Sequence, residues 1–333
     1  MTNTSMTDFT LLSAKEYIKD LTHCVRQAKS RIYIMDLIIA DDEATHELIS
    51  AIEKAVKQGI KVDLAADTFT YGELGGFFSP FKRRAAKSQA VTAMTKRFIE
   101  AGASFRWLGG DYKINPFAGV THIKWCIVDD TVYCFGGTNL FKEGIESLDY
   151  MFKTTDPELA NDIIREHLHI ISADASPESY DGFHKTYPYG RLLVDSGKRG
   201  DSLIYKRACV LAKNAHKILF VSQYCPSGEL AQHLKQTQSD IYFNRPELAT
   251  TLHRLLITTT MSVTNIKTIY KKDRYIHAKF MLFEMPNGKR IALTGSHNFS
   301  YSGVRLGTRE VALESEDAHI YKQLEDFWRQ NIK

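Results

Sequence analysis

Two short stretches of the 333-residue chain carry the same side-chain types at the same spacing. His122 and Lys124 stand two positions apart, as do His277 and Lys279. Residues two apart on an extended strand share a face, so each stretch presents an imidazole beside an ammonium group. A neutral imidazole, with a reference pKa of about 6.5, is a usable nucleophile or proton carrier, and an ammonium group favours developing negative charge. Five residues beyond each lysine comes a carboxylate, Asp129 or Glu284. An amide then closes a run of small residues: Asn139 ends GGTN, seventeen positions after His122, and Asn298 ends GSHN, twenty-one after His277. An acidic residue follows each asparagine, Asp149 at ten and Glu310 at twelve positions. Five matching features in one order, twice, point to a duplicated site.

The elements around these residues repeat as well. HIKWCIVD and VYCFGG read as a closing pair of strands with a turn at Asp130 and Thr131, and IHAKFMLFE and KRIALTGS as a second pair. MPNG separates the latter two, its Asn-Gly is a strong hairpin signal, and the longer turn absorbs the four-residue difference in spacing. Upstream, amphipathic helices over 14–28 and 205–214 lead into strands starting at Arg31 and Lys217. Helices over 43–57 and 228–236, strands from 61 and 240, and helices over 89–101 and 246–256 follow in turn. Strands alternating with helices imply parallel pairing covered on both faces. The expected fold is therefore α/β: a duplicated unit over 1–172 and 201–333, joined by a turn-rich linker at 173–200, with two mixed sheets and helices on their outer faces.

Composition narrows the classes. Apolar residues make up 44% and charged residues 25%, ordinary globular usage. A net charge of +4 is too small to hold nucleic acid through a global field, so an anionic partner must be gripped locally. Apolar runs such as IYIMDLIIA are about half the roughly 20 residues a bilayer crossing needs. The opening MTNTSMTDFT lacks a basic region followed by an apolar core, so a cytoplasmic location is expected. Five cysteines without CxxC spacing read as reduced core thiols rather than a disulfide framework or zinc knuckle.

The paired segments resemble the HxK(x)4D motifs of the phospholipase D superfamily. HIKWCIVDDTVYCFGGTN fits HxK(x)4D(x)6G(G/S)xN throughout, whereas the second copy has Glu284 for aspartate and ten residues before Gly295. The resemblance implies two halves related by a pseudo-twofold axis that brings both histidines to one phosphodiester, with no metal or other cofactor. It implies a covalent phosphohistidine on His122, with His277 as the proton donor and acceptor. Lys124 and Lys279 would supply charge, while Asn139, Asn298, Thr138 and Ser296 would supply hydrogen bonds to the nonbridging oxygens. Asp149 and Glu310 are candidates to bond the far ring nitrogens and fix the tautomers. In this pattern Asp129 and Glu284 brace strands, and His297 reads as a packing residue.

The substrate class is suggested by residues 68–88. There Phe69, Tyr71, Phe77, Phe78 and Phe81 adjoin Lys82, Arg83, Arg84 and Lys87, with glycines that would make the stretch mobile. Aromatics beside cations suit an anionic bilayer surface. The same mixture would also grip a nucleic acid. The fused two-motif chain and the segment GTREVALES resemble bacterial phosphatidyltransferases similar to cardiolipin synthases, so a phospholipid substrate is favoured. Peripheral association with the inner face of the cell membrane is expected. A nuclease of the same superfamily, and an inactive lipid- or nucleic-acid-binding module, are the competing readings.

Overall fold

The computed structural model describes residues 9–76, 79, 81–109, 119–174 and 180–333. Seven strands of the first half are β1 (Thr10–Ser13), β2 (Arg31–Asp36), β3 (Lys61–Asp67), β4 (Ser104–Leu108), β5 (Trp125–Val128), β6 (Thr131–Cys134) and β7 (Tyr150–Thr155). They form one mixed sheet in the order β1-β7-β6-β5-β2-β3-β4. The second half supplies β8 (Phe183–Tyr187), β9 (Gly190–Val194), β10 (Lys217–Val221), β11 (Gln238–Tyr242), β12 (Phe280–Glu284), β13 (Arg290–Gly295) and β14 (Val311–Ser315). Read from the matching edge, its order is β8-β9-β14-β13-β12-β10-β11. Six strands therefore correspond one to one, and β4 and β8 are each half's own addition. Among the named strands, parallel pairing joins β2 with β3, β3 with β4, and β10 with β11.

Helices of the first half are α1 (Ala14–Arg26), α2 (His46–Lys57), α3 (Phe69–Gly75), α4 (Ala86–Ala101), α5 (Lys142–Glu146) and α6 (Pro157–Ala173). The second half has α7 (Leu203–Asn214), α8 (Glu229–Gln236), α9 (Thr251–Thr264), α10 (Tyr301–Leu306) and α11 (Ala318–Phe327). Side-chain alternation along the strands sorts the core into layers. On β5, Trp125 and Ile127 face a core shared by both sheets, while Cys126 and Val128 face α1, α2 and α4. On β12, Phe280 and Leu282 join that shared core, and Met281 and Phe283 pack under α7 and α8. Helices α6 and α11 add apolar residues to the shared layer. A continuous core of this kind fixes the two halves against each other.

Three expectations are corrected. His122 and Lys124 lie just ahead of β5, and His277 and Lys279 just ahead of β12, and the histidine backbones pair with the other half. His122 N donates to Arg309 O at 2.8 Å, and His277 N donates to Leu148 O at 3.0 Å. The first hairpin turns at Asp129 and Asp130, with Asp129 at φ 53°, one residue earlier than expected. Finally, the stretch 173–200 does more than link: β8 and β9 form an edge hairpin of the second sheet, with Tyr187 paired to Gly190 across the turn. All five cysteines are free thiols, four of them buried.

Candidate active site

Each histidine is held by a carboxylate from the opposite half. His122 Nδ1 lies 2.9 Å from Glu310 Oε2, and His277 Nδ1 lies 2.6 Å from Asp149 Oδ2. Glu310 is placed by the end of the α10–β14 connection and Asp149 by the start of β7, equivalent positions in the repeat. Bonding an ionised carboxylate at Nδ1 puts the ring proton there and leaves the Nε2 lone pair for the cleft that both rings line. The carboxylates are themselves fixed: Tyr150 N donates to Asp149 Oδ1 at 2.8 Å, and Ser296 Oγ donates to Glu310 Oε2 at 2.5 Å.

Both lysines lie beneath the rings, fully buried. Lys124 Nζ donates to His122 O at 2.7 Å, and Lys279 Nζ donates to His277 O and sits 3.0 Å from His277 Nδ1. Burial brings His122 down to about 4 and His277 down to about 3, with Glu310 and Asp149 pulling the other way and the lysines reinforcing burial. At neutral pH both rings are therefore uncharged. Burial opposes ionisation of Glu310, yet the His122 ring and nearby cations outweigh it and hold the carboxyl at about 2. Asp149 is likewise lowered against burial by His277 and Lys279. Burial brings the Lys279 ammonium down to about 7, with Asp149 opposing and Lys124 adding to the fall. This constellation places neutral imidazoles against anchored carboxylates over two sunken cations, which suits an incoming anion.

The cleft above has a volume of about 510 Å³. Asn139 and Asn298 both line it, and Asn139 Oδ1 is buried with no hydrogen-bond partner among the described residues. Thr138 and Ser296, expected to reach the substrate, are not among the lining residues. Thr138 Oγ1 donates to Tyr150 O at 3.2 Å, and Ser296 Oγ is taken by Glu310, so both hydroxyls brace the carboxylate-bearing strands. His297 packs as expected, accepting from Phe299 N at 2.7 Å on Nδ1, and its ring also borders the cleft. Sequence reasoning missed Gln223, Tyr275 and Asp36. The first two line the cleft, Gln223 Nε2 donating to the Tyr275 hydroxyl at 3.1 Å. Asp36 ends β2, and burial raises its carboxyl to about 7 even with Lys124 nearby. The only signal for Tyr275 is its place two residues before His277, on the same alternation as the motif.

The motif carboxylates sit at the far ends of their strands. Asp129 accepts from Lys29 N, Ser30 N and Arg31 N at 2.9, 2.8 and 3.1 Å, tying the turn to the start of β2. Glu284, one methylene longer, instead reaches Lys217 Nζ at 3.0 Å at the start of β10. Within 68–88, α3 and a short helical turn at Lys82–Arg84 replace the expected loop. Tyr71 is buried under the Arg83 guanidinium at 4.7 Å, Phe81 is exposed, and Phe77 and Phe78 lie outside the described residues. Among the described residues, no helix is long and apolar enough to cross a membrane, and no group of three His, Cys, Asp or Glu side chains could hold a metal ion.

Duplicated α/β halves that exchange histidine–carboxylate pairs across one cleft define the phospholipase D superfamily. Within it, the chain belongs to the family described as cardiolipin synthase, PLD-like domain, whose model matches residues 21–171 and 234–331. The fold is similar to the crystal structure of phosphatidylserine synthase from Haemophilus influenzae Rd KW20, with a TM-score of 0.71 at 17% identity over 98% of this chain and 87% of that one. It is also similar to polyphosphate kinase from Porphyromonas gingivalis, with a TM-score of 0.60 at 14% identity over 96% of this chain and 49% of that one. No curated protein matches by sequence.

Proposed function

We propose that this protein is a phosphatidyltransferase or phospholipase D that works through a phosphatidylhistidine on His122. The observation that carries the reading is the reciprocal pairing of His122 with Glu310 and His277 with Asp149 at a single cleft. Nε2 of neutral His122 attacks phosphorus, and the bond from phosphorus to the headgroup oxygen breaks. That oxygen takes a proton from the His277 imidazolium, which forms when the diester anion enters beside a ring whose proton Asp149 stabilises. The acceptor then gives its proton to His277 while its oxygen bonds phosphorus, and the phosphorus–nitrogen bond breaks to free His122. Asn139 and Asn298, which line the cleft, bond the nonbridging oxygens, and Lys124 and Lys279, buried beside the histidines and outside the lining, favour the charge there through their field. Water as acceptor yields phosphatidic acid, and phosphatidylglycerol as acceptor yields cardiolipin.

Lipid is favoured over nucleic acid by the lining of the cleft. Leu37, Ile38, Phe69, Phe141 and Leu306 give it apolar walls, which suit acyl chains better than a sugar-phosphate backbone. The protein would act from the cytoplasm, peripherally, on an anionic membrane surface. Incubation with phosphatidylglycerol vesicles and, separately, with labelled single- and double-stranded DNA, all in EDTA, tests the reading. Lipid turnover, with labelled lipid bound to protein after alkaline denaturation in wild type and absent in His122→Ala, is expected. DNA cleavage without lipid turnover would establish the nuclease instead.

A further inference from the structure

Helix α9 exposes two large apolar side chains. Of its fourteen residues only Ile257 is buried, while Leu255 is 65% and Val263 81% exposed, set among threonines and Ser262. A surface helix normally covers its outer face with charge, and this one carries a single cation and no carboxylate there. The surrounding chain is equally one-sided: from Leu248 to Lys272 there is no acidic residue, and Arg254, Lys267, Lys271 and Lys272 are basic. After the helix, an extended stretch runs beside β11, with Ile269 N donating to Ile241 O at 3.0 Å and the Ile269 side chain 47% exposed. The same helix walls the cleft through His253 and Leu256.

We infer that α9 and the stretch to Lys272 form the surface on which this protein docks to an anionic phospholipid bilayer, an inference that rests on the lipid reading of the cleft. Leucine, valine and isoleucine enter the interface, the hydroxyls stay at headgroup depth, and Lys267 and Lys271 meet lipid phosphates. A nucleic-acid backbone would match the cations and leave Leu255 and Val263 unrewarded. The basic cluster at 82–87 is less available, because Lys87 Nζ is paired with Glu143 at 2.7 Å and Arg83 covers Tyr71. Docking through α9 sets the cleft wall at the membrane, so a phospholipid need only slide along one helix to reach the histidines.

Co-sedimentation with vesicles of equal parts phosphatidylglycerol and phosphatidylcholine reads this directly. The Leu255→Ser, Val263→Ser double variant should partition about tenfold more weakly than wild type. Reversing Lys267 and Lys271 to Glu should weaken binding to these vesicles, and raised salt should do the same to wild type. A polarity-sensitive dye on Val263→Cys should shift to the blue when vesicles are added. Unchanged partition in the double variant, or an unchanged dye spectrum, would overturn the inference. So would a wild-type dimer that the double variant converts to monomer, or duplex DNA binding lost in that variant, since another partner would then own the face. Partition needs no turnover: vesicle binding without lipid cleavage would sink the proposed reaction and leave the docking face standing.

Discussion

Asp149 Oδ2 lies 2.6 Å from His277 Nδ1, although 128 positions and two different sheets separate the residues. Glu310 reaches back to His122 across 188 positions at 2.9 Å. The exchange is reciprocal, as two-fold related halves require, so neither half owns a complete histidine–carboxylate pair. Asp149→Asn keeps the shape and removes the charge that holds the ring tautomer. Its kcat should fall by about 10² to 10⁴ with little change in KM, measured on a soluble phosphodiester. Loss confined to KM would remove Asp149 from the chemistry.

Acid–base behaviour follows from the sunken lysine. With Lys279 brought down to about 7, kcat/KM should decline as pH rises past neutrality, because the buried cation whose field favours an anion beside His277 is lost. Lys279→Arg keeps its charge throughout, so in that variant the basic limb should move up by at least about one pH unit. A wild-type profile flat to about pH 9 would contradict this role.

Stability should show the opposite edge. Both rings have folded pKa values well below the unfolded value, His122 at about 4 and His277 at about 3. Between about 6.5 and those values the unfolded chain binds more protons, so stability is lost as pH falls through that window. Tm should drop between pH 6.5 and 4.5, and the His122→Asn, His277→Asn double variant should drop less.

Much of this site was legible because its chemistry repeats. The histidines, lysines, asparagines and following acids stood out as a duplicated order, and the apolar runs after each HxK marked the closing strand pairs. What stayed hidden depends on contacts between halves. Nothing in local spacing shows that the HxK segments pair with Leu148 and Arg309 ahead of β5 and β12. Ser296 and Thr138 carry hydroxyls suited to a phosphate, and only the fold shows them spent on Glu310 and on Tyr150. Helix α6 did leave a signal, Asp156 capping Glu158 N and Leu159 N just before Pro157, but it sat beyond the motifs. The hairpin of β8 and β9 was masked by the proline and glycine that make its turn.

Arg309 tests how firmly the halves are joined. It is 1% exposed, and its Nη1 donates to Thr121 Oγ1 at 3.1 Å and to Asp174 Oδ1 at 3.0 Å. Its backbone pairs with the segment leading to His122, Arg309 N donating to Val120 O at 2.9 Å. Arg309→Ala takes the guanidinium from Asp174, which keeps its bond from Gly109 N at 2.8 Å, and loss of this buried charge pairing should cost about 3 to 5 kcal/mol in chemical denaturation. A loss below about 1 kcal/mol would mean that the Asp174 charge is already well solvated.

Gly137 separates positioning from folding. Its φ is not in the left-handed region, so alanine is conformationally allowed there, and only space is at issue. A Cβ at this position would come 2.7 Å from Asp149 Oδ2, 2.9 Å from Lys279 Nζ and 3.0 Å from His277 O. The two side-chain atoms, at the ends of their side chains, must shift, at the expense of the bond that aims His277. Neighbouring Gly136 faces the backbone of Tyr150 and Met151, where nothing flexible can yield. Gly136→Ala should therefore destabilise the protein by about 1 to 3 kcal/mol. Gly137→Ala should instead lose about 10² in kcat while its Tm stays close to wild type, since a misplacement near 1 Å is costly to catalysis and cheap to packing. Wild-type kcat in Gly137→Ala would show that the reaction does not depend on the Asp149–His277–Lys279 geometry.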